Sequence, residues 1–210
     1  MRLVLALVLV AVLAAPARAE RTAKSCLAEL DARGISYHRV SKKGVAIGVE
    51  VDGPLGGVAF TSSNARPLIL DCSLAISLDE AGRYLTALGV TAVVFSSSYS
   101  VRNVRGTNHP SKHSYALAID IHTFRGDAIG ALQVDLDFEQ GLGDAVDCVG
   151  QPLTAGGAVL SVLRCQLVRS GLFRLVLTPD YDDAHHDHFH LEARPWTDRD
   201  ELRATEPAIH

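Results

Sequence analysis

The segment HHDHFHLEA, residues 185–193, admits few folded environments. It places four of the chain's nine histidines within six positions and then runs into apolar residues. A solvated histidine run needs no apolar continuation, and a core strand needs no histidines. Successive side chains of a β-strand point to opposite faces at a rise of about 3.3 Å per residue. His188 and His190 therefore emerge together, about 6.6 Å apart along the strand. Phe189 and Leu191 face the other way, into a core. His185 and His186 fall at the loop junction, where geometry is less determined. The segment reads as a strand that lines a pocket with imidazoles while its apolar residues hold it down.

A hydrolytic metal centre takes three protein ligands and keeps one position open, and one strand does not easily supply all three. A second source is SKHSYALAIDIHTF, residues 111–124. There His113 ends a polar loop and Asp120 sits in the strand-like run ALAIDI, with residues 114–118 making the turn between them. Alternation puts Asp120 and His122 on one face and Ile119 and Ile121 on the other. His38, His109, His122 and His210 are expected to be bystanders.

The rest of the chain sets the context. Residues 1–20, MRLVLALVLVAVLAAPARAE, carry Arg2, an apolar run from Leu3 to Ala15, and Ala17 and Ala19 in an A-x-A arrangement. This is the pattern of a secretory signal peptide; the run is shorter than the roughly 20 residues a spanning helix needs. Cleavage is expected after Ala19, with residues 20–210 forming a single domain. Glu20 stands where a bacterial lipoprotein would carry cysteine, so no membrane anchor is expected after cleavage. The location implied is periplasmic or extracellular. Twenty basic residues stand against 24 acidic, and no dense Lys/Arg face appears, so nucleic acid is a poor partner. In an exported protein Cys26, Cys72, Cys148 and Cys165 read as two disulfides. Three connectivities are possible, and Cys26–Cys72 with Cys148–Cys165 is expected because each pair staples one half of the chain.

Ser25–Arg33 reads as a short helix stopped by Gly34. Residues 35–40 have strand character, and residues 45–61 suggest short strands broken at glycine and Gly53-Pro54. Ser77-Leu-Asp-Glu80 has the form of a capping box opening a helix that ends at Gly89. TAVVFSS is a buried strand, and the polar SSYSVRNVRGTNHPSKHS that follows it a long loop. Ala155–Gly171 has helical period with an uncertain start at its two early glycines; LFRLVLT is a strand and PDYDDA a turn. Strands and helices mix without βαβ alternation, which indicates an α+β fold.

SKHSYALAID resembles the S-x-H-x-x-G-x-A-x-D motif of the zinc peptidases that include D-Ala-D-Ala carboxypeptidases, dipeptidases and lysostaphin-type endopeptidases, with hedgehog signalling domains as relatives. HFH matches their closing H-x-H. The longer pattern of CLAEL, LDCSLA, SYSVRNVRG, SKHSYALAIDI and TPDYDDAHHDHFHLE is similar to the bacterial extensin-like C-terminal domain family, over nearly the whole chain after the signal peptide. The resemblance implies a small central antiparallel sheet with flanking helices and a zinc-site cleft. It implies that His113, Asp120 and His190 bind Zn²⁺ and that His188 stands beside the metal as base or transition-state stabiliser. Ala116 replaces the motif's usual glycine. Val101 and Val45 stand where members often carry cysteines, which fits joint loss of one disulfide.

The chemistry expected is hydrolysis of a peptide amide, with peptidoglycan peptides containing D-amino acids as the substrate that the resemblance and export imply. A guanidinium can clamp a substrate carboxylate bidentately, so Arg105 is a candidate catalytic or oxyanion-binding residue and Arg102 a substrate-binding one. Ser111 and Tyr181 are grouped with Arg102. Asp187 and His185, and after them Asp183 and His186, are candidates to take the second N–H of a ligand imidazole. Two other classes of function compete: a zinc-stabilised binding module without turnover, and a metal-handling protein that uses HHDHFH for copper or nickel.

Overall fold

The computed structural model describes residues 23–142, 148 and 150–197; the expected signal peptide, its expected cleavage site and His210 lie outside them. The first helix, α1 (residues 23–32), buries Leu30 and ends at Gly34, whose φ of +70° suits glycine at a helix stop. The glycine-broken stretch that follows yields β1 (Tyr37–Arg39), β2 (Gly48–Val51), β3 (Ala59–Ser62) and β4 (Ile69–Asp71). β1, β2 and β4 pair antiparallel as a separate three-stranded sheet.

The next helix, α2 (Cys72–Ala87), begins five residues before the expected capping box. Asp71 is the cap that wins: one carboxylate oxygen accepts from Ser73 N and Ser73 Oγ, and the other accepts from Ile47 N. A buried carboxylate with three donors is a better start than Ser77. Ser77 instead lies inside the helix, donating to Ser73 O, and Glu80 pairs with Arg33 at 2.6 Å. The starting point exposes Leu74, Ile76 and Leu78 to the core cluster.

A second sheet carries the centre of the molecule. Its strands are β3, β5 (Ala92–Ser97), β6 (Ala118–Gly126), β7 (Gly130–Gln133), β8 (Leu175–Leu177) and β9 (Phe189–Glu192). The order is β3-β5-β6-β9-β8, and β7 pairs with the far half of β6. The expected small antiparallel sheet is therefore larger and mixed, because β3 runs parallel to β5. The fold is α+β, as the absence of βαβ alternation indicated. Phe95, Ile119, Ile121, Phe124, Phe189 and Leu191 are each 1% exposed or less and form the core side of this sheet. Phe124 and Phe138 meet Phe189 edge-on.

After a single turn, α3 (Val134–Asp137), comes α4 (Ala155–Arg169). Thr154 caps it by accepting from Gly157 N, which fixes the start that the sequence leaves open. Its early glycines have a packing reason: a side chain at Gly157 would collide with the Glu139 carboxylate, which itself binds Leu153 N and Thr154 N. The disulfides join Cys26 to Cys72 and Cys148 to Cys165, the expected pairing. The first ties α1 to the opening turn of α2, and the second ties a loop to α4. No helix among the described residues is long and apolar enough to cross a membrane.

Candidate metal centre

Pairing of β6 with β9 sets Asp120 directly opposite His190, with Ile119 opposite Leu191 and Ile121 opposite Phe189. Cross-strand partners share a face, so the carboxylate and the imidazole meet while the flanking residues fill the core. His113 arrives from a 3-10 turn, Lys112–Tyr115, just before β6. Ser111 caps this turn by accepting from His113 N, and Ala116 closes it at φ +53°, the left-handed region. This conformation explains the glycine usual in the motif. Ala116 N donates to His113 O and Ala116 O accepts from Asp71 N, so the turn is fastened to the start of α2.

Three donor atoms result. His113 Nε2 lies 3.1 Å from Asp120 Oδ1, His190 Nδ1 lies 2.7 Å from the same oxygen, and the two nitrogens are 3.3 Å apart. The residues are 0%, 5% and 6% exposed. The distal ring nitrogens are also engaged: His113 Nδ1 is 3.3 Å from Ser97 Oγ, and His190 Nε2 is 3.2 Å from Glu192 Oε1. If each distal nitrogen carries the proton and donates it outward, both inner nitrogens present lone pairs to a common point. Ligand atoms around a tetrahedral zinc with bonds of about 2.0 Å stand roughly 3.3 Å apart. The observed separations, and a donor set of two imidazoles and one carboxylate, fit such an ion.

Electrostatics binds the cluster together. Burial raises the Asp120 carboxyl, but hydrogen bonds from His113, His188 and His190 outweigh it and hold the group far below the usual carboxylate range. Burial pulls the His190 imidazolium down, yet the Asp120 and Glu192 carboxylates push its pKa up to about 9. His113, fully enclosed, is lowered by burial in spite of Asp120. Glu192 is raised by burial and lowered more by His190 and Arg174, whose guanidinium is 3.0 Å away. Glu192 escaped the reading of the sequence although it lies two residues after His190, on the same strand face.

His188 stands at the rim. Its Nε2 is 3.4 Å from Asp120 Oδ1 and its Nδ1 is 2.7 Å from Asp187 Oδ1. Asp187 thus orients His188, and the second nitrogen of His190 goes to Glu192 instead of Asp187 or His185. His185 is held by Asp182 at 2.6 Å, with its ring 5.2 Å from that of His188 and 5.6 Å from that of His190. His186 Nδ1 donates to Asp183 O in its own loop, and neither residue bonds a nitrogen of His113 or His190. Tyr181 is exposed and meets His185 edge-on.

Arg102 reaches the centre and Arg105 does not. The Arg102 guanidinium is 3.8 Å from Asp120 Oδ2 and remains 48% exposed. Its backbone is pinned to the motif turn: Ser111 N donates to Arg102 O, and Arg102 N donates to Ser114 Oγ. Arg102 also lines a cavity of about 520 Å³ with Lys43, Gly44, Val101 and Tyr115. Val101 and Gly44, the residue preceding Val45, border this one space. Arg105 is exposed in the same loop. His38 is exposed beside Glu50 and Asp52, and His109 is exposed in the loop.

His122, expected as a bystander, lies beside the cluster. The β5–β6 register shifts twice, pairing Val94 with Thr123, Phe95 with Ile121 and Ser97 with Asp120. His122 and Ser96 are the extra residues, and such bulges re-aim side chains. Their side chains bond each other at 2.7 Å, and His122 Nδ1 lies 3.6 Å from Asp187 Oδ2.

An α+β chain with a buried His–Asp–His cluster is the class that the fold and site define. Residues 24–200 match the family model for the extensin-like protein C-terminus, and the chain belongs to that family. No curated protein matches the chain, and no solved structure does.

Proposed function

We propose that the protein is an exported zinc-dependent peptidase that hydrolyses amide bonds in peptidoglycan peptides containing D-amino acids, akin to the D-Ala-D-Ala carboxypeptidase, lysostaphin-type and hedgehog group. The observation that carries this reading is the convergence of His113 Nε2, Asp120 Oδ1 and His190 Nδ1 within 3.3 Å, with a fourth group, His188, beside them. His113, Asp120 and His190 would hold the ion. Bound zinc supplies a Lewis acid for the scissile carbonyl and lowers the pKa of its water to about 7.

The chain's own groups do the rest. Asp187 accepts from His188 Nδ1, and with an ion on the Asp120 carboxylate the His188 Nε2 that otherwise donates to Asp120 would present its lone pair to the centre. His188 Nε2 takes the proton of the attacking water and returns it to the amine nitrogen as the C–N bond breaks. Glu192 and Ser97 keep the proton on the outer nitrogens of the two ligand histidines. Arg102, half exposed and anchored through its backbone, is placed to hold the carboxylate or developing oxyanion of a peptide. The substrate class rests on the motif resemblance and on export.

The near-complete burial of the three ligands also favours a second reading, a zinc-stabilised module that binds without turnover. Metal analysis of the purified mature form, followed by digestion of peptidoglycan with wild type and His188→Ala, separates the two. The peptidase reading expects stoichiometric zinc in both proteins, released fragments with wild type, and release reduced about 10²–10⁴-fold in the variant. Stoichiometric zinc with no fragment from any wall preparation leaves only the binding module.

A further inference from the structure

Among the described residues, a set of donor atoms that shares no residue with the inner cluster also converges. A nitrogen of His122, a carboxylate oxygen of Asp187 and a nitrogen of His188 lie within 4.8 Å of one another. Each is oriented by something else. His122 Nε2 lies 2.7 Å from Ser96 Oγ and Nδ1 lies 3.6 Å from Asp187 Oδ2, and the tautomer that donates to Ser96 offers its Nδ1 lone pair on the Asp187 side. His188 turns Nδ1 to the other oxygen of Asp187. The two β-bulges create this arrangement, since regular pairing would leave no extra residue at His122 or Ser96. His185, His188 and His190 also cluster, but that set shares His190 with the inner centre, and His185 Nδ1 is held by Asp182.

We propose that His122, Asp187 and His188 form a second, weaker divalent-cation site, and that Zn²⁺ bound there shuts off hydrolysis at the inner centre by occupying His188 Nδ1. The inhibitory half rests on the peptidase reading; the cation site does not. Two imidazoles and a carboxylate suit Zn²⁺ as well as the inner set does. Weaker binding follows from exposure: the His122 and Asp187 side chains are 27% and 38% exposed, against 8% or less for the inner three. Solvent competes for such donors and a cation exchanges readily.

The coupling is a matter of tautomers. A neutral imidazole carries one proton on one nitrogen. With Asp187 accepting from Nδ1–H, His188 Nε2 is free to take a proton. A cation on Nδ1 needs the lone pair there, which moves the proton to Nε2 and removes the acceptor that hydrolysis uses. His188 is thus a base only while the outer site is empty.

The test uses the mature chain loaded with one equivalent of Zn²⁺ and freed of excess, then titrated with further Zn²⁺ by calorimetry while fragment release from peptidoglycan is followed. Wild type should bind a second equivalent, at least a hundredfold more weakly than the first, and release should halve where that equivalent is half bound. His122→Ala should weaken the second equivalent at least about tenfold, keep the first, and release fragments at Zn²⁺ concentrations that silence wild type. His122→Gln, which keeps the bulk, and an unchanged melting temperature guard against misfolding. A wild type that takes one equivalent only, or a His122→Ala protein whose second equivalent is unaltered, overturns the site. A second equivalent that binds without slowing release overturns the inhibition. Two equivalents with no hydrolysis at any concentration keep the cation site and remove the peptidase, whereas hydrolysis with a single equivalent does the reverse.

Discussion

The β6–β9 ladder has two faces that are almost equally buried and held for opposite reasons. On one, Ile119, Ile121, Phe189 and Leu191 are 1% exposed or less, and their burial is favourable by itself, at roughly 25 cal/mol per Å² of apolar surface. On the other, Asp120, His190 and Glu192 are less than 10% exposed, and burying ionisable groups costs free energy unless each is paired. Every one of them is paired, through His113, His188, His190 and Arg174. The first face builds the fold, and the second is carried by it. That difference is what sets the polar face apart as the candidate site.

The sharpest way to break the comparison is to truncate one residue on each face. Asp120→Ala and Phe189→Ala should each lose about 3–5 kcal/mol in urea unfolding, the first by stranding buried imidazoles and the second by opening a cavity. Metal content separates them. Asp120→Ala should purify without zinc, and the folded fraction of Phe189→Ala should retain it. Stoichiometric zinc in Asp120→Ala ends the assignment of that face.

Glu192→Gln is a smaller change on the polar face. It should weaken zinc binding about 10–100-fold, as loss of the partner that fixes a ligand histidine does elsewhere. The fold should stay intact, and competition with a chromogenic chelator measures the shift.

Acid and base read the same face in the metal-free protein. The folded pKa of His190 is raised to about 9 from 6.5, so its stabilisation is complete below about 6.5 and fades as pH rises through about 9. Asp120 has a lowered folded pKa, so its stabilisation is complete above the ordinary carboxylate range and fades as pH falls. Chelator-treated protein should therefore be most stable in mildly acidic solution, in contrast to the loaded form. If zinc binds as proposed, it displaces the His190 proton, and uptake at neutral pH should release acid, detectable as a dependence of binding heat on buffer ionisation enthalpy.

Much of the polar face was legible because a strand has period two. The HFH spacing and the AID run identified His188, His190 and Asp120, and the S-x-H motif identified His113. The same period would have included Glu192, had the alternation been followed two residues further. Alternation also set His122 on the face of Asp120, but the bulges that bond it to Ser96 and bring it beside Asp187 leave no local signal. The register that sets Asp120 against His190 joins segments seventy residues apart and is decided by core packing. The start of α2 was misread because Ser77 and Glu80 fit a capping box locally, while Asp71 gains its advantage from Ile47, far away in the chain.

The smallest expected effect lies at the turn that delivers His113 to the polar face. Ala116 occupies a left-handed conformation that costs an L residue about 1–2 kcal/mol. Glycine would relieve it while adding freedom to the unfolded chain. Ala116→Gly should therefore stabilise the protein by about 1 kcal/mol or less in thermal unfolding, with zinc content unchanged.

Both disulfides together leave no free thiol, and the only methionine is Met1. The donors gathered on the β6–β9 ladder are consequently all nitrogen and oxygen. Peroxide or hypochlorous stress, which disarms thiolate-ligated centres by climbing the sulfur oxidation ladder, finds no sulfur ligand here. A centre of this composition also gives little purchase to cuprous ion, which seeks thiolate and thioether. Such a set of donors needs no thiol repair system to stay intact.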